Sequence, residues 1–394
     1  YDGNYREKQR RETNCKMKIM MLNYEFPPIG GGAGKAHLAI LKQYAGKSNL
    51  QVDVLASAPK PGFVVQKLSD NITIYTVGVH KKNLHYWRKI EVVEWVARAT
   101  PPYRRLLKEN RYDLVHAFFG LPTGWLCYRT ANRLPYIISL RGSDVPGGHA
   151  RLQFEYKLLG PLLKRIWADA SVLVACSEGL KNRALRFLPS ANIDIIPNGI
   201  DLDKFHPASS RELSGELKLL TVGRLSVTKR FEMLVEAVEI LSKQGKNVRL
   251  TISGGGGLLD ELENLVEQKK LADIINLTGR IESEKMPDVY GAHDMFVSAS
   301  MQEGMSNAML EAMASGLPII TTKCEGVEEL ISGNGVVVGT DSAEALAEAI
   351  NNLAENKQAY NAMCALARRR AESFGWDKVA DGYVKLYQQV LGKK

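Results

Sequence analysis

Glu303-Gly304-Met305-Ser306-Asn307-Ala308-Met309-Leu310-Glu311-Ala312-Met313-Ala314-Ser315-Gly316 is the stretch on which the reading of this chain turns. A strand ending near Ser300 feeds a loop, a helix opens around Ser306, and Gly316 supplies a good C-terminal cap. Glu311 falls in the first turns of that helix, within an otherwise apolar Ala-Met run. A carboxylate there is costly unless something polar partners it. The amides of Met305, Ser306 and Asn307 sit at the positive helix end, where a phosphate is favoured. The structural alternative is that Glu303 and Glu311 only favour a helix start.

Outward from this stretch, apolar runs alternate with helical ones. Upstream and downstream of it lie Leu217–Val222, Val248–Ser253, Ile274–Thr278, Met295–Ser298, Pro318–Thr321 and Gly335–Val338 as strands, with helices such as Arg230–Gln244 and Leu258–Leu271 between them. The same rhythm runs earlier, through Lys18–Leu22, Gln51–Ala56, Ile72–Val77, Leu114–Ala117, Tyr136–Leu140, Val172–Cys176 and Ile193–Pro197. Most of these runs are apolar at consecutive positions, the pattern of parallel strands covered on both faces. Two rounds of strand and helix predict an α/β protein of two doubly wound, Rossmann-like domains facing each other across a cleft. Ligands bind such sheets beyond the carboxyl ends of their strands, so the active site is expected there. The turn-rich Pro197-Asn198-Gly199-Ile200-Asp201 suits a hinge. The expected boundaries are a loose polar tail over 1–16, a first domain over 17–198 joined by the final helix (376–394), and a second domain over 199–375. That final helix, about Trp376 to Leu391, carries Val379, Tyr383, Leu386 and Tyr387 at helical spacing. By spacing alone it is the closing amphipathic helix of the second domain.

Bulk composition narrows the class. The 394 residues are 45% apolar and 24% charged, the balance of an ordinary globular enzyme. No run approaches the roughly 18 consecutive apolar residues of a membrane-spanning helix. Met17–Leu22 is short and leads into Glu25 and a glycine-rich loop, so it is expected to be a buried first strand and not a signal peptide. Cys15, Cys127, Cys176, Cys324 and Cys364 lie too far apart for a zinc or dithiol motif, which fits free thiols in a reducing, cytoplasmic setting. The net charge of +9 is uneven. Residues 1–200 hold 30 Lys and Arg against 15 Asp and Glu; residues 201–394 hold 22 against 28. A basic half favours anionic lipid or phosphorylated substrates, or is simply a solvated surface. Within His80–Lys108, Lys81, Lys82, Arg88, Lys89, Arg98, Arg104 and Arg105 interleave with Trp87, Trp95 and Tyr103. This composition suits peripheral contact with an anionic membrane or a charged acceptor, and equally a solvated face over core tryptophans. No nucleic-acid partner is expected.

The whole string 303–316 resembles the paired-glutamate motif of retaining glycosyltransferase family 4, whose members have the two-domain GT-B fold. The resemblance implies that Glu311 binds the donor ribose hydroxyls, that Glu303 lies near the transferred sugar, and that the amides of Gly304, Met305, Ser306 and Asn307 contact sugar and phosphate. Arg224 and Lys229, at a strand's carboxyl end, look like the family's cationic pair. Two such cations neutralise a leaving diphosphate. Arg230 stands where the family usually has glycine. Gly254 and Gly255 open a glycine run that is either an anion-binding turn or a flexible one. Arg280 and Ile281 resemble the strand end that contacts the donor base, and Glu329 matches the glutamate of the family's glycine-plus-glutamate loop.

In the first half, Gly31 and Gly32 lie in a glycine run between a strand and a helix, where backbone approaches phosphate or acceptor closely. The run lacks the spaced glycines of a dinucleotide fingerprint, and Ala56-Ser57-Ala58 ends the second strand where a ribose-binding acid would stand. His116 ends a strand, either as a sugar ligand or as a satisfied structural group. Arg141 occupies a place where many family members carry histidine. Its guanidinium stays charged, so it is no base but can grip a phosphate or an acidic acceptor. Asp144 is the nearby acid, or else part of a helix-starting turn. The resemblance implies a retaining transferase that moves a hexosyl-type sugar from a nucleotide-diphosphate donor to a glycan, lipid-linked or small-molecule acceptor, without cofactor or metal, in cell-envelope, polysaccharide or glycolipid synthesis. The competing readings are a nicotinamide-dependent oxidoreductase and a GT-B-shaped epimerase or phosphorylase.

Overall fold

The computed structural model describes residues 16–84, 86–147, 153–208, 213, 215–339 and 342–392. Apart from Lys16, the predicted tail lies outside these residues. Two compact units emerge, each with its own sheet. The first comprises the chain up to Cys176, Leu180–Ile196 and the residues from Val379 onward; the second comprises Ser177–Gly179 and Pro197–Lys378.

The first sheet has eight strands: β1 (Met17–Asn23), β2 (Leu50–Ala58), β3 (Phe63–Ser69), β4 (Ile72–Gly78), β5 (Leu114–Phe118), β6 (Tyr136–Ser139), β7 (Val172–Ala175) and β8 (Ile193–Ile195). They are ordered β3-β4-β2-β1-β5-β6-β7-β8, parallel throughout except for β3 against β4. β1, β5, β6 and β7 are buried along almost their whole length, which is why their apolar residues run consecutively instead of alternating. β3 was not anticipated. As an antiparallel edge strand it is exposed along most of its length and carries no burial pattern.

The second sheet has six strands, all parallel: β9 (Leu217–Val222), β10 (Val248–Ser253), β11 (Ile275–Gly279), β12 (Met295–Ser298), β13 (Ile319–Thr322) and β14 (Gly335–Val338). Their order is β11-β10-β9-β12-β13-β14. The helices Phe231–Lys243 and Ala343–Glu355 bury Leu234, Val238, Leu346 and Ile350 in the core of this unit.

The last helix spans Trp376–Gly392. It begins in the second unit, where Trp376 packs so tightly on Gly199 that a Cβ there would lie 2.4 Å from the indole. From Val379 it belongs to the first unit, not to the second as its spacing alone had suggested. Tyr383 and Tyr387 are buried there, each contributing about 2 kcal/mol of apolar burial.

Candidate active site

In the second sheet the chain runs outward from β9 through β10 to β11, then returns to the other flank of β9 with β12. The carboxyl ends of β9, β10 and β12 therefore adjoin at a topological switch point. After β9 and β10 two loops lie backbone on backbone. The amide of Gly223 donates to Ser253 O (2.9 Å) and that of Leu225 to Gly255 O (3.1 Å). A Cβ on Gly254 would fall 1.7 Å from Gly223 O, and one on Gly256 2.2 Å from Leu225 O. These glycines let the loops touch and so hold the exposed Arg224. Gly254 corrects one expectation. Its amide donates to Gly279 O (2.9 Å), so it shapes the loop and has no N–H to offer a phosphate.

Beyond Arg224 a 3-10 turn (Val227–Lys229) delivers Lys229 to Glu303, and the two form an ion pair. Ser300 Oγ also donates to Glu303 (3.1 Å), and the amide of Met301 donates to Thr228 O (2.9 Å). Arg230, the departure from the family's glycine, adopts left-handed backbone (φ 48°, ψ 50°), the conformation glycine would favour. That strain costs about 1 kcal/mol. It is offset by a buried guanidinium that donates to Ala299 O (2.7 Å) and Thr322 Oγ1 (3.3 Å). The loop bearing Glu303 is thus tied to residues 228–230 at three points. Cys324, close to this pair, is a bystander: burial first, then the Glu303 charge, push its thiol up to about 12.

The helix Asn307–Ala314 follows, capped by Ser306, whose Oγ accepts from the Met309 amide (3.3 Å). Its first amides have no acceptor within the helix. Asn198 braces this turn: its amide contacts Met305 Sδ (3.2 Å) and its Nδ2 donates to Asn307 Oδ1 (3.0 Å). Gly326 (φ 76°) allows its loop to reach Gly304, whose carbonyl would lie 2.6 Å from a Cβ. The polar partner that Glu311 required is the fully buried Tyr290, which donates to Oε2 at 2.8 Å. Burial, then the Glu311 charge, hold that phenol well above its usual range, so it remains a donor. Arg280 is exposed and Ile281 half-buried just past β11, while Glu329 accepts the Glu178 amide.

The switch point of the first sheet is β1. Just beyond it Gly30 (φ 91°) donates to Leu84 O (2.7 Å), and the exposed Gly31 and Gly32 open the helix Gly32–Tyr44. The guanidinium of Arg141 lies 5.6 Å from the Phe118 ring. Asp144 is a brace rather than an acid facing substrate: one oxygen takes the Arg141 amide (2.7 Å), the other that of Gly120 (2.9 Å). Burial raises its pKa and those amides pull it back. His116 is corrected outright. It is fully buried, with Nδ1 against Tyr387 Oη (2.7 Å) and Nε2 against Ser139 Oγ (2.8 Å), and so reaches no sugar. Of the basic and aromatic stretch, Lys81 is buried in an ion pair with Glu91 (2.8 Å) over the Trp87 ring, and Trp95 and Tyr103 are core residues. What remains outside is Lys82, Lys89, Arg98, Arg104 and Arg105, in a stretch that also exposes Leu84, Tyr86, Ile90 and Val93.

Sequence reasoning did not find Tyr290, Asn198 or Arg230 as site residues. Only the cost of a lone Glu311 pointed to a partner, without saying which. Among the described residues no group of three or more His, Cys, Asp or Glu is placed to hold a metal ion, and no helix is long and apolar enough to cross a membrane. Cys127 and Cys324 are free thiols.

Comparison with known proteins places this geometry. Residues 30–204 match the family model "Glycosyltransferase Family 4", and residues 203–370 match "Glycosyl transferases group 1". The phosphatidylinositol N-acetylglucosaminyltransferase gpi3 subunit of Schizosaccharomyces pombe is 22% identical over 380 residues, covering 95% of this chain and 81% of the relative. Among solved structures, sucrose-phosphate synthase from Thermosynechococcus elongatus superposes with a TM-score of 0.79 at 21% identity, over 96% of this chain and all of the other. The Anabaena protein HepE, solved with UDP and glucose, gives 0.72 at 18% identity over 94% and 99%. With the motif of residues 303–316 seated at a switch point and both halves of the chain matched, the chain belongs to glycosyltransferase family 4 and is a glycosyltransferase of GT-B fold.

Proposed function

We propose that the chain transfers a hexosyl sugar from a nucleoside diphosphate donor to an acceptor hydroxyl with retention of configuration, and that the donor sits on the second unit. The observation that carries this reading is the convergence of Lys229, Glu303, the opening turn of Asn307–Ala314 and Glu311 at one switch point. In this account the diphosphate draws Lys229 from Glu303 and is further neutralised by Arg224 and by amides of the helix end. Glu311 takes the ribose hydroxyls and Ile281 borders the base. The acceptor attacks the face from which the diphosphate departs, and the departing phosphate oxygen takes the acceptor proton. Charge stabilisation, not a protein base, drives that step, and no metal is required.

For the acceptor we propose a lipid-borne hydroxyl reached by a peripheral enzyme on the cytoplasmic face of a membrane. The relative named for phosphatidylinositol supports a lipid acceptor, and the exposed Leu84, Tyr86, Ile90 and Val93 among Lys82, Lys89 and Arg98 suit an anionic surface. The test incubates the protein with UDP- and GDP-sugars, with and without phosphatidylinositol vesicles, and measures released diphosphate. Release that depends on the vesicles supports the whole reading. Equally rapid release without vesicles, which marks hydrolysis or another acceptor, or no release with any donor, contradicts it.

A further inference from the structure

Glu311 sits on the helix Asn307–Ala314, and its carboxylate stands at the end of a long, rotatable stem. One rigid contact that holds that stem comes from a different element. Tyr290 lies on the short helix Met286–Gly291, between β11 and β12, and its hydroxyl donates to Glu311 Oε2 at 2.8 Å. The ring itself cannot move freely. It is fully buried, edge-on to Phe205 (centroids 5.7 Å) and stacked near Phe296 (6.3 Å). Phe296 belongs to β12, the strand that leads into the Glu303 loop. A rigid donor anchored in the core therefore holds a flexible acid at the edge of the proposed donor site.

We infer that Tyr290 is a positioning residue for nucleotide binding, orienting the Glu311 carboxylate toward the ribose through its hydroxyl. The inference rests on the donor-site reading above. Freezing a glutamate side chain costs it much of its rotamer freedom. A side chain already held in place loses much less on binding. Without the hydroxyl, Glu311 loses a rigid contact that helps to order it, the nucleotide must supply that ordering, and roughly fivefold to tenfold of affinity is lost. Because a phenyl ring preserves the packing against Phe205 and Phe296, the loss concerns orientation and not the core.

The experiment is calorimetric titration with UDP, with GDP and with ADP, in EDTA, on the wild type, Tyr290→Phe and Tyr360→Phe. Tyr360 serves as the control, since its buried hydroxyl donates to Asp294 O (3.0 Å) in the same unit, away from Glu311. The expected result is a five- to tenfold weaker Kd for Tyr290→Phe with whichever nucleotide the wild type binds, and an unchanged Kd for Tyr360→Phe. The 2′,3′-dideoxy form of that nucleotide should bind wild type and Tyr290→Phe alike, and Tyr290→Phe should add nothing in a Glu311→Ala background. Equal affinity of wild type and Tyr290→Phe for the ribonucleotide overturns the inference, as does an undiminished loss with the dideoxy probe. If the wild type binds no nucleoside diphosphate, ADP included, the donor-site reading itself falls and takes this inference with it.

Discussion

The Lys229–Glu303 ion pair makes a prediction with an unusual sign. Lys229 is the cation assigned to the donor diphosphate, yet in the protein alone it already faces Glu303. Their side chains are 21% and 15% exposed, a half-buried setting. Two unit charges about 4 Å apart attract by about 4 kcal/mol at an effective dielectric of about 20. Desolvation and screening reduce the net value to about 1 kcal/mol for a pair this close to solvent. An incoming diphosphate competes with Glu303 for that cation. Glu303→Gln keeps the shape and hydrogen bonding of the side chain but removes its charge, so UDP or GDP should bind about fivefold tighter while sugar transfer slows. Lys229→Met removes the cation and leaves Glu303 opposing the phosphates; binding should weaken at least tenfold. Both shifts should shrink in 1 M salt, where the screening length falls to about 3 Å. Calorimetry in EDTA reads both variants and the wild type directly. A loss of nucleotide binding in Glu303→Gln as large as that in Lys229→Met would refute the competition between Glu303 and the diphosphate.

Two further outcomes follow from the packing. His37 is fully buried and stacked on Phe118 (centroids 4.3 Å), with neither ring nitrogen hydrogen-bonded, and burial first, then Arg141, depress its pKa to about 3. An unfolded histidine binds its proton near pH 6.5 while the folded one does not. Stability is therefore lost as pH falls from about 6.5 toward 3, by about 1.4 kcal/mol per pH unit from this group. His37→Phe should raise Tm at pH 5 more than at pH 8, as read by circular dichroism melts. Gly256→Ala, with its Cβ aimed at Leu225 O at 2.2 Å, should push the Arg224 loop away and cost about 1–3 kcal/mol of stability together with several-fold weaker diphosphate binding in the same titration.

The two doubly wound sheets were legible because most of their strands are buried on both faces, and continuous apolar runs such as Val172–Ala175 have few other uses. Residues 303–316 were legible for a different reason: helix start, cap and carboxylates all fall within one local segment. The contacts that complete the site join residues far apart in the chain. Tyr290 reaches Glu311, Arg230 reaches Ala299 and Thr322, and Asn198 reaches Met305 and Asn307, and no periodicity encodes such pairings. His116 illustrates the opposite failure. Near a strand end it had the placement of a ligand, but Ser139 takes its Nε2 and Tyr387, which takes its Nδ1, arrives from the last helix some 270 residues later. β3 escaped notice because its exposure leaves no alternation to detect. Arg230 shows how tertiary contacts override a local preference: its backbone takes the glycine-like conformation because its buried guanidinium holds the neighbouring loop.

The central claim is that the second unit binds a nucleoside diphosphate through Lys229, Glu311 and a helix end. Thermal shift of the intact chain in EDTA, against UDP, GDP, ADP, their sugar conjugates and the nicotinamide dinucleotides, tests it most directly. Stabilisation by one nucleoside diphosphate and its sugar conjugates, lost in Lys229→Met, is the predicted result. Stabilisation by nicotinamide cofactors alone would contradict it.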